Sequence, residues 1–342
     1  IDDDTVRGGD GDDSIEGGAG DDIIDGGAGD DVIDGGAGDD VISDGYGDDF
    51  VDAGAGDDVI YNDGGTDRFV GGSGNDTLIT DISSGFDARS FEIVFDAVEG
   101  VHGRANSEVG QDTLDGIENF TLLGEFNAYV TGGNEGNIFI TDSGDDVIYG
   151  GAGNDDLNGG SGDDRVYGED GDDIIRQTGS GTQLYDGGSG TDTYILELDD
   201  WSSIPEGFIG EVDLTTEFSG AHLDPTNELN DIVRNIENVT LYGDIDFIIR
   251  GDDEDNILIA DGGRDEIYGG AGNDLIYAGA GEDRVYGGMG DDIIHARDDD
   301  NPDYGWTNVN PGSGSDTVYF VTSQQLQSGH TAGEAHYNYH LE

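Results

Sequence analysis

The stretch Gly17-Gly18-Ala19-Gly20-Asp21-Asp22-Ile23-Ile24-Asp25 is followed at once by Gly26-Gly27-Ala28-Gly29-Asp30-Asp31-Val32-Ile33-Asp34. The two phrases differ at a single residue. Both read Gly-Gly-x-Gly-x-Asp-x-Φ-x, where Φ is apolar, and eight copies run without a break over residues 8–79. A short fixed period marks a solenoid and not a conventional globular core. Six residues of each phrase have the composition of a tight turn and three that of a strand with one inward apolar side chain. The eighth-position residues are Ile15, Ile24, Ile33, Ile42, Val51, Ile60, Phe69 and Leu78. These are the branched and aromatic types that suit a narrow β interior. Two phrases then make one coil, with a turn on each side and coils stacked roughly 4.8 Å apart.

The same phrase returns further along. A second block spans residues 132–195 with sixth-position aspartates at Asp146, Asp155, Asp164, Asp173 and Asp192. A third spans 251–320, with Asp265, Asp274, Asp283, Asp292 and, in one stray copy, Asp316. Residues 80–131 and 196–250 link the blocks, and 321–342 form a tail. The links are related: Ile117-Glu118-Asn119 matches Ile236-Glu237-Asn238 at an offset of 119, and Gly153-Asn154-Asp155 matches Gly272-Asn273-Asp274 at the same offset. They alternate apolar and polar residues, as in Phe91–Phe95, and are expected to form wider β coils that continue the solenoid. The chain opens inside a repeat, with Asp4 and Val6 in the aspartate and apolar slots, as a piece cut from a longer protein would.

Composition narrows the function. The 342 residues carry 80 Asp+Glu against 11 Lys+Arg, a formal charge of -69, and every basic residue is Arg. Such a chain is a poor partner for nucleic acid or an anionic membrane, both of which demand positive charge. It has no cysteine, which excludes disulfides and thiolate metal sites. No segment is long and apolar enough to span a membrane. The acidity recurs in register with the glycines, so it reads as a chain that repels itself until a multivalent cation neutralises it. Cation binding energy is then folding energy. The turns offer backbone carbonyls beside a carboxylate at a constant place. An all-oxygen cage with flexible geometry suits Ca²⁺ better than Mg²⁺, which demands a strict octahedron and retains its waters.

The tandem Gly-Gly-x-Gly-x-Asp-x-Φ-x phrase resembles the RTX (repeats-in-toxin, hemolysin-type) calcium-binding family. The resemblance implies an all-β fold, a parallel β-roll or β-helix solenoid with Ca²⁺ in the turns. Here that means three repeat blocks joined by wider β coils. It also implies bacterial type I secretion and folding outside the cell. Carried onto this chain, the implied carboxylate ligands are Asp13, Asp22, Asp31, Asp40, Asp49, Asp58 and Asp76 in the first block, and the ten sixth-position aspartates named above in the other two. The implied load is on the order of a dozen calcium ions. Three places depart from the pattern: residues 62–67, which lose the glycines of positions one and two; 177–186, with no aspartate in the slot; and Asn256, standing where Asp is expected.

Other features carry competing readings. The fifth-position Asp12, Asp21, Asp30 and Asp39 are further ligands or a solvated acidic face. The seventh-position Ile23, Val32, Val41, Phe50 and Val59 form a docking stripe or reflect β propensity. Tyr149 with Tyr167, and Tyr268 with Tyr286, form a glycan-binding ladder or cross-strand packing. His330, His336 and His340 form a zinc site or, in the absence of any accompanying pattern, a polar tail. There is no His-Glu-x-x-His, no Gly-x-Ser-x-Gly and, without lysine, no P-loop, so catalysis is not expected. The expected role is a monomeric calcium-binding structural module of a secreted protein, acting on neighbouring domains of the same longer chain. The alternatives are an adhesin module recognising a glycan or cell surface, and the repeat region of an exported enzyme.

Overall fold

The structure is a computed structural model and describes residues 2–81, 92–97, 101–104, 111–197, 209–215, 219–221, 231–298, 307–322 and 335–340. All of its regular elements are β-strands. It divides into two compact units, Ile1–Asp170 and Gly171–Glu342.

In the first unit, alternate nonapeptides feed two opposed parallel sheets. Thr5–Asp10, Ile23–Ala28, Val41–Ser43, Val59–Asn62 and Thr77–Asp81 line one side; Ser14–Ala19, Val32–Ala37, Phe50–Ala55 and Arg68–Ser73 line the other. The register is two nonapeptides, with Val6 opposite Ile24 and Ile15 opposite Ile33. The strands run further than the composition suggests. Ile23–Ala28 continues through the first two glycines of the next phrase, leaving Gly29 to Asp31 as the turn. Those glycines still present N–H and C=O groups that only a neighbouring coil can satisfy, so pairing extends over them; Gly9 lies opposite Gly27 and Gly18 opposite Gly36.

The eighth-position residues point inward: Ile24, Ile33, Ile42, Val51, Ile60, Phe69 and Leu78 are fully buried and Ile15 nearly so. Among the described residues of this unit the parallel rule breaks at one place. Arg68–Ser73 pairs with Gln111–Asp115, which runs antiparallel to Val101–Arg104, itself antiparallel to Glu92–Asp96. Parallel pairing resumes through Asn127–Thr131. Phe95 fills the interior there, stacked on Phe120 with centroids 4.6 Å apart.

The second unit repeats the scheme. Ile174–Gln177, Thr193–Leu196, Asn238–Asp244, Ile257–Gly262, Leu275–Tyr277, Ile293–Asp298 and Ser315–Thr322 follow one another in one parallel sheet, and Ala335–His340 closes it antiparallel. Ile209–Asp213, Asp246–Arg250, Glu266–Ala271, Arg284–Met289 and Asn308–Ser313 form another parallel sheet. His330 lies outside the described residues, and His336 and His340 are described only as part of that last strand. Among the described residues, no helix is long and apolar enough to cross a membrane.

Candidate metal centre

Alternation along the strand decides where the aspartates go. Positions six and eight, and position one of the next phrase, share a face. Asp22, Ile24 and Gly26 therefore all turn inward, and the carboxylate is sealed at the end of the coil where the turn ends and the strand begins. Asp22, Asp31, Asp40, Asp49, Asp58, Asp76, Asp146, Asp155, Asp164, Asp173, Asp192, Asp265, Asp274, Asp283, Asp292 and Asp316 are all at most 3% exposed. Asp13, in the first turns, is half-buried.

One oxygen of each carboxylate ties successive coils together. Oδ1 of Asp31, Asp40, Asp49 and Asp58 accepts the N–H of Asp13, Asp22, Asp31 and Asp40 at 2.7–2.8 Å. Asp76 does the same for Asp58. The ladder recurs with Asp164 on Asp146, Asp192 on Asp173, Asp283 on Asp265, Asp292 on Asp274 and Asp316 on Asp292.

In a subset of these residues the other oxygen has no donor. Oδ2 of Asp13, Asp22, Asp31, Asp40, Asp49, Asp58, Asp76, Asp146, Asp192, Asp265, Asp274 and Asp292 is buried without a hydrogen bond. A buried, unpaired carboxylate oxygen is costly unless a cation meets it. The space in front of it is oxygen-lined as well. A methyl placed on Gly17 would lie 2.7 Å from Oδ2 of Asp22 and 2.5 Å from the carbonyl oxygen of Gly35 in the next coil. The first-position glycine thus leaves open a small cradle walled by a carboxylate and a carbonyl. Hard oxygen donors, negative charge and no competing N–H fit a divalent cation, Ca²⁺ above all.

The electrostatics agree. Burial pushes the carboxyls of Asp58, Asp76 and Asp146 up to about 6 from the ordinary 3.8, Asp192 and Asp274 to about 7, and Asp164 and Asp265 to about 8. The hydrogen bonds they accept pull the other way, and neighbouring carboxylates add to the rise. The ladder carboxylates are strained as a set of bare charges.

The departures from the pattern resolve individually. Asp67 keeps its place in the ladder despite the lost glycines, accepting the N–H of Asp49 at 2.8 Å. In the disturbed stretch, Gln183 occupies the slot, and its N–H goes to Asp231 at 2.8 Å, from far along the chain. Asn256 is closed off without a cation: its Oδ1 accepts the N–H of Asp252 and its amide donates to the carbonyl of Glu237. Asn137 does the same with Gly133 and Glu118. The Ile-Glu-Asn motif has a defined task. Glu118 and Glu237 reach into the ladder and accept the N–H of Asp76 and Asp192 at 3.0 and 2.7 Å. They substitute for the aspartate at each junction. Asp231, Glu118 and Glu237 lie outside the nonapeptide pattern; the repeated Ile-Glu-Asn was the signal for the two glutamates. Asp44, which fills a first-position glycine slot, is also buried, and burial followed by the charges of Asp67 and Asp49 pushes its carboxyl up to about 8.

The fifth-position carboxylates form a second, exposed ladder of opposite sense. Asp12, Asp21 and Asp39 accept the N–H groups of Asp30, Asp39 and Asp57 in the following coil at 2.9–3.1 Å. The seventh-position Ile23, Val32 and Val41 face solvent. Tyr149 and Tyr167, and Tyr268 and Tyr286, stack with centroids 4.8 Å apart, covering each other's faces. A further stack, Tyr277–His295–Tyr319, lies in the second unit.

The RTX calcium-binding nonapeptide repeat, in its four-copy family description, matches residues 1–33, 25–60, 34–69, 61–81, 131–166, 152–176, 250–285 and 268–301. These matches cover more than half of the chain, which belongs to this hemolysin-type repeat family. The fold is its parallel β-solenoid, and the repeats are calcium-binding ones. Comparison with the curated proteins gave no match.

Proposed function

We propose that the chain is the calcium-dependent structural module of a secreted bacterial protein. The observation that carries this reading is the row of buried Oδ2 atoms that find no donor in the protein. At the low free calcium inside a cell, a chain of charge -69 has nothing to neutralise these rows and remains extended, a form suited to passage through a type I secretion channel. Outside, calcium supplies the positive charge, the coils stack, and the folded solenoid supports a neighbouring domain of the same longer chain. Residues of blocks 1–79, 132–195 and 251–320 hold the ions; Glu118 and Glu237 keep the ladder continuous across the links. The role is structural and not catalytic.

The test is the hydrodynamic radius of the full chain in chelator, in calcium and in magnesium, with limited proteolysis alongside. The reading expects an expanded, protease-sensitive chain that compacts with calcium and far less with magnesium. A compact, resistant chain in chelator refutes the folding switch.

A further inference from the structure

Asp44 stands at the first position of its phrase, where the neighbouring phrases 17–25, 26–34 and 35–43 carry glycine. That position faces the cation cradle. A Cβ on Gly17, Gly26 or Gly35 would lie 2.7, 2.8 and 2.7 Å from Oδ2 of Asp22, Asp31 and Asp40, each five residues on. Alternation gives the same direction: Ile42 points inward, Ser43 away from it, and Asp44 inward again. Asp44 therefore extends a carboxylate into the space that glycine leaves open in front of Asp49.

The oxygens converge. Asp44, Asp49 and Asp67 each place a carboxylate oxygen within 4.8 Å of the other two, and all three residues are buried. Asp44 is fully buried; its Oδ1 accepts the N–H of Gly45 at 2.6 Å and of Asp63 at 2.9 Å, and its Oδ2 has no donor. Oδ2 of Asp49 is likewise buried without one. Ordinary ladder slots bring carboxylates together only as stacked neighbours. Among the described residues this is the one place where three meet.

We infer that Asp44, Asp49 and Asp67 form a specialised cation site that takes calcium more tightly than the ladder around it and favours trivalent lanthanides still more strongly. The inference rests on the calcium reading above. A third carboxylate raises the charge of an oxygen cage, and charge count is what tunes calcium affinity across such sites. A trivalent ion gains more than a divalent one from the added charge, because the attraction scales with the product of the charges.

The test uses the full chain, titrated with calcium alone against a chromophoric chelator and then with terbium alone. Wild type is expected to show one class of ion bound at least about tenfold more tightly than the rest. Asp44→Gly, which restores the residue of the neighbouring phrases, is expected to keep calcium-driven folding and lose that tight class. Asp44→Asn keeps an acceptor for Gly45 and Asp63 and guards against misfolding of the glycine variant; it is expected to lose the tight class and lower the terbium-to-calcium affinity ratio. Persistence of the tight class with an unchanged ratio in both variants overturns the inference while leaving the calcium reading intact. Absence of any calcium binding in wild type overturns both.

Discussion

Replacing Asp40 by Asn is expected to act in opposite directions with and without calcium. Asp40 is fully buried, its Oδ1 accepts the N–H of Asp22 at 2.8 Å, and its Oδ2 has no donor. Asn keeps the acceptor and removes the charge. Burial, followed by the charges of Asp22, Asp21 and Asp39, holds this carboxyl above its ordinary range, against the pull of the Asp22 N–H. Two unit charges one strand spacing apart, about 4.8 Å, repel by roughly 3 kcal/mol at an effective dielectric of 20, and by roughly 1 kcal/mol with heavy screening. The metal-free fold of the variant is therefore more stable by roughly 1–3 kcal/mol. Calcium reverses this. Each ion that binds only the folded chain adds about 1.4 kcal/mol per decade of free calcium above its Kd. Losing one ion flattens the dependence by that slope, and the wild-type and variant lines cross at roughly five to one hundred and fifty times the Kd of the lost site. The assay is urea unfolding followed by far-UV circular dichroism at a series of buffered calcium levels. An excluded osmolyte populates the fold in chelator. Parallel lines, with the variant offset but the slope unchanged, would show that Asp40 holds no cation and refute the reasoning.

Three further outcomes follow from the same geometry. Gly36 has φ +110 and a Cβ there would collide with the carbonyl of Gly18, whereas Gly9 has φ +113 with nothing within 4 Å. Gly9→Ala is expected to cost about 1–2 kcal/mol from backbone strain alone and Gly36→Ala clearly more, read from thermal unfolding in saturating calcium; equal effects would contradict the close stacking. Phe69 is fully buried and Tyr46 is 72% exposed. Phe69→Ala should therefore lower stability by about 3–5 kcal/mol and Tyr46→Ala by under about 0.5 kcal/mol in urea unfolding. The pH dependence has a definite sign. Asp58 and Asp76 at about 6, Asp192 and Asp274 at about 7 and Asp265 at about 8 are raised above the 3.8 of the unfolded chain. The metal-free fold binds more protons than the unfolded chain, so this contribution is complete below pH 3.8 and is lost as pH rises through 6–8. In chelator, β content is expected to rise as pH falls from 8 to 5; no change would mean that the buried carboxylates do not oppose folding.

The sequence made the coil and its cation row legible because both obey one local rule. A nine-residue phrase sets positions six and eight on the same face, and Asp22 and Ile24 stand for every clean copy. The rule even holds where the glycines fail: Phe69 turns inward, and Asp67 two residues before it must follow. What stayed hidden was non-local. Asp231 serves the N–H of Gln183 across 48 residues, and Glu118 serves Asp76 across 42. No spacing within a phrase predicts such partners. The antiparallel strands at Glu92–Asp96, Val101–Arg104 and Gln111–Asp115 were equally out of reach, since alternation marks a strand and not its direction. Asp44 was readable in principle as a broken glycine slot, but its meaning depends on where a first-position Cβ points. The fifth-position aspartates accept backbone N–H groups in an exposed outer ladder, a partnership between coils that the spacing within one phrase does not show.

The central claim is that calcium at the buried aspartate rows is what folds this chain. Far-UV circular dichroism during a calcium titration of the exhaustively chelated protein, with magnesium in parallel, tests it most directly. The account predicts a steep coil-to-β transition with calcium and little response to magnesium. A full β spectrum already present in chelator at neutral pH would contradict it and would make the solenoid a preformed scaffold whose carboxylates are satisfied in some other way.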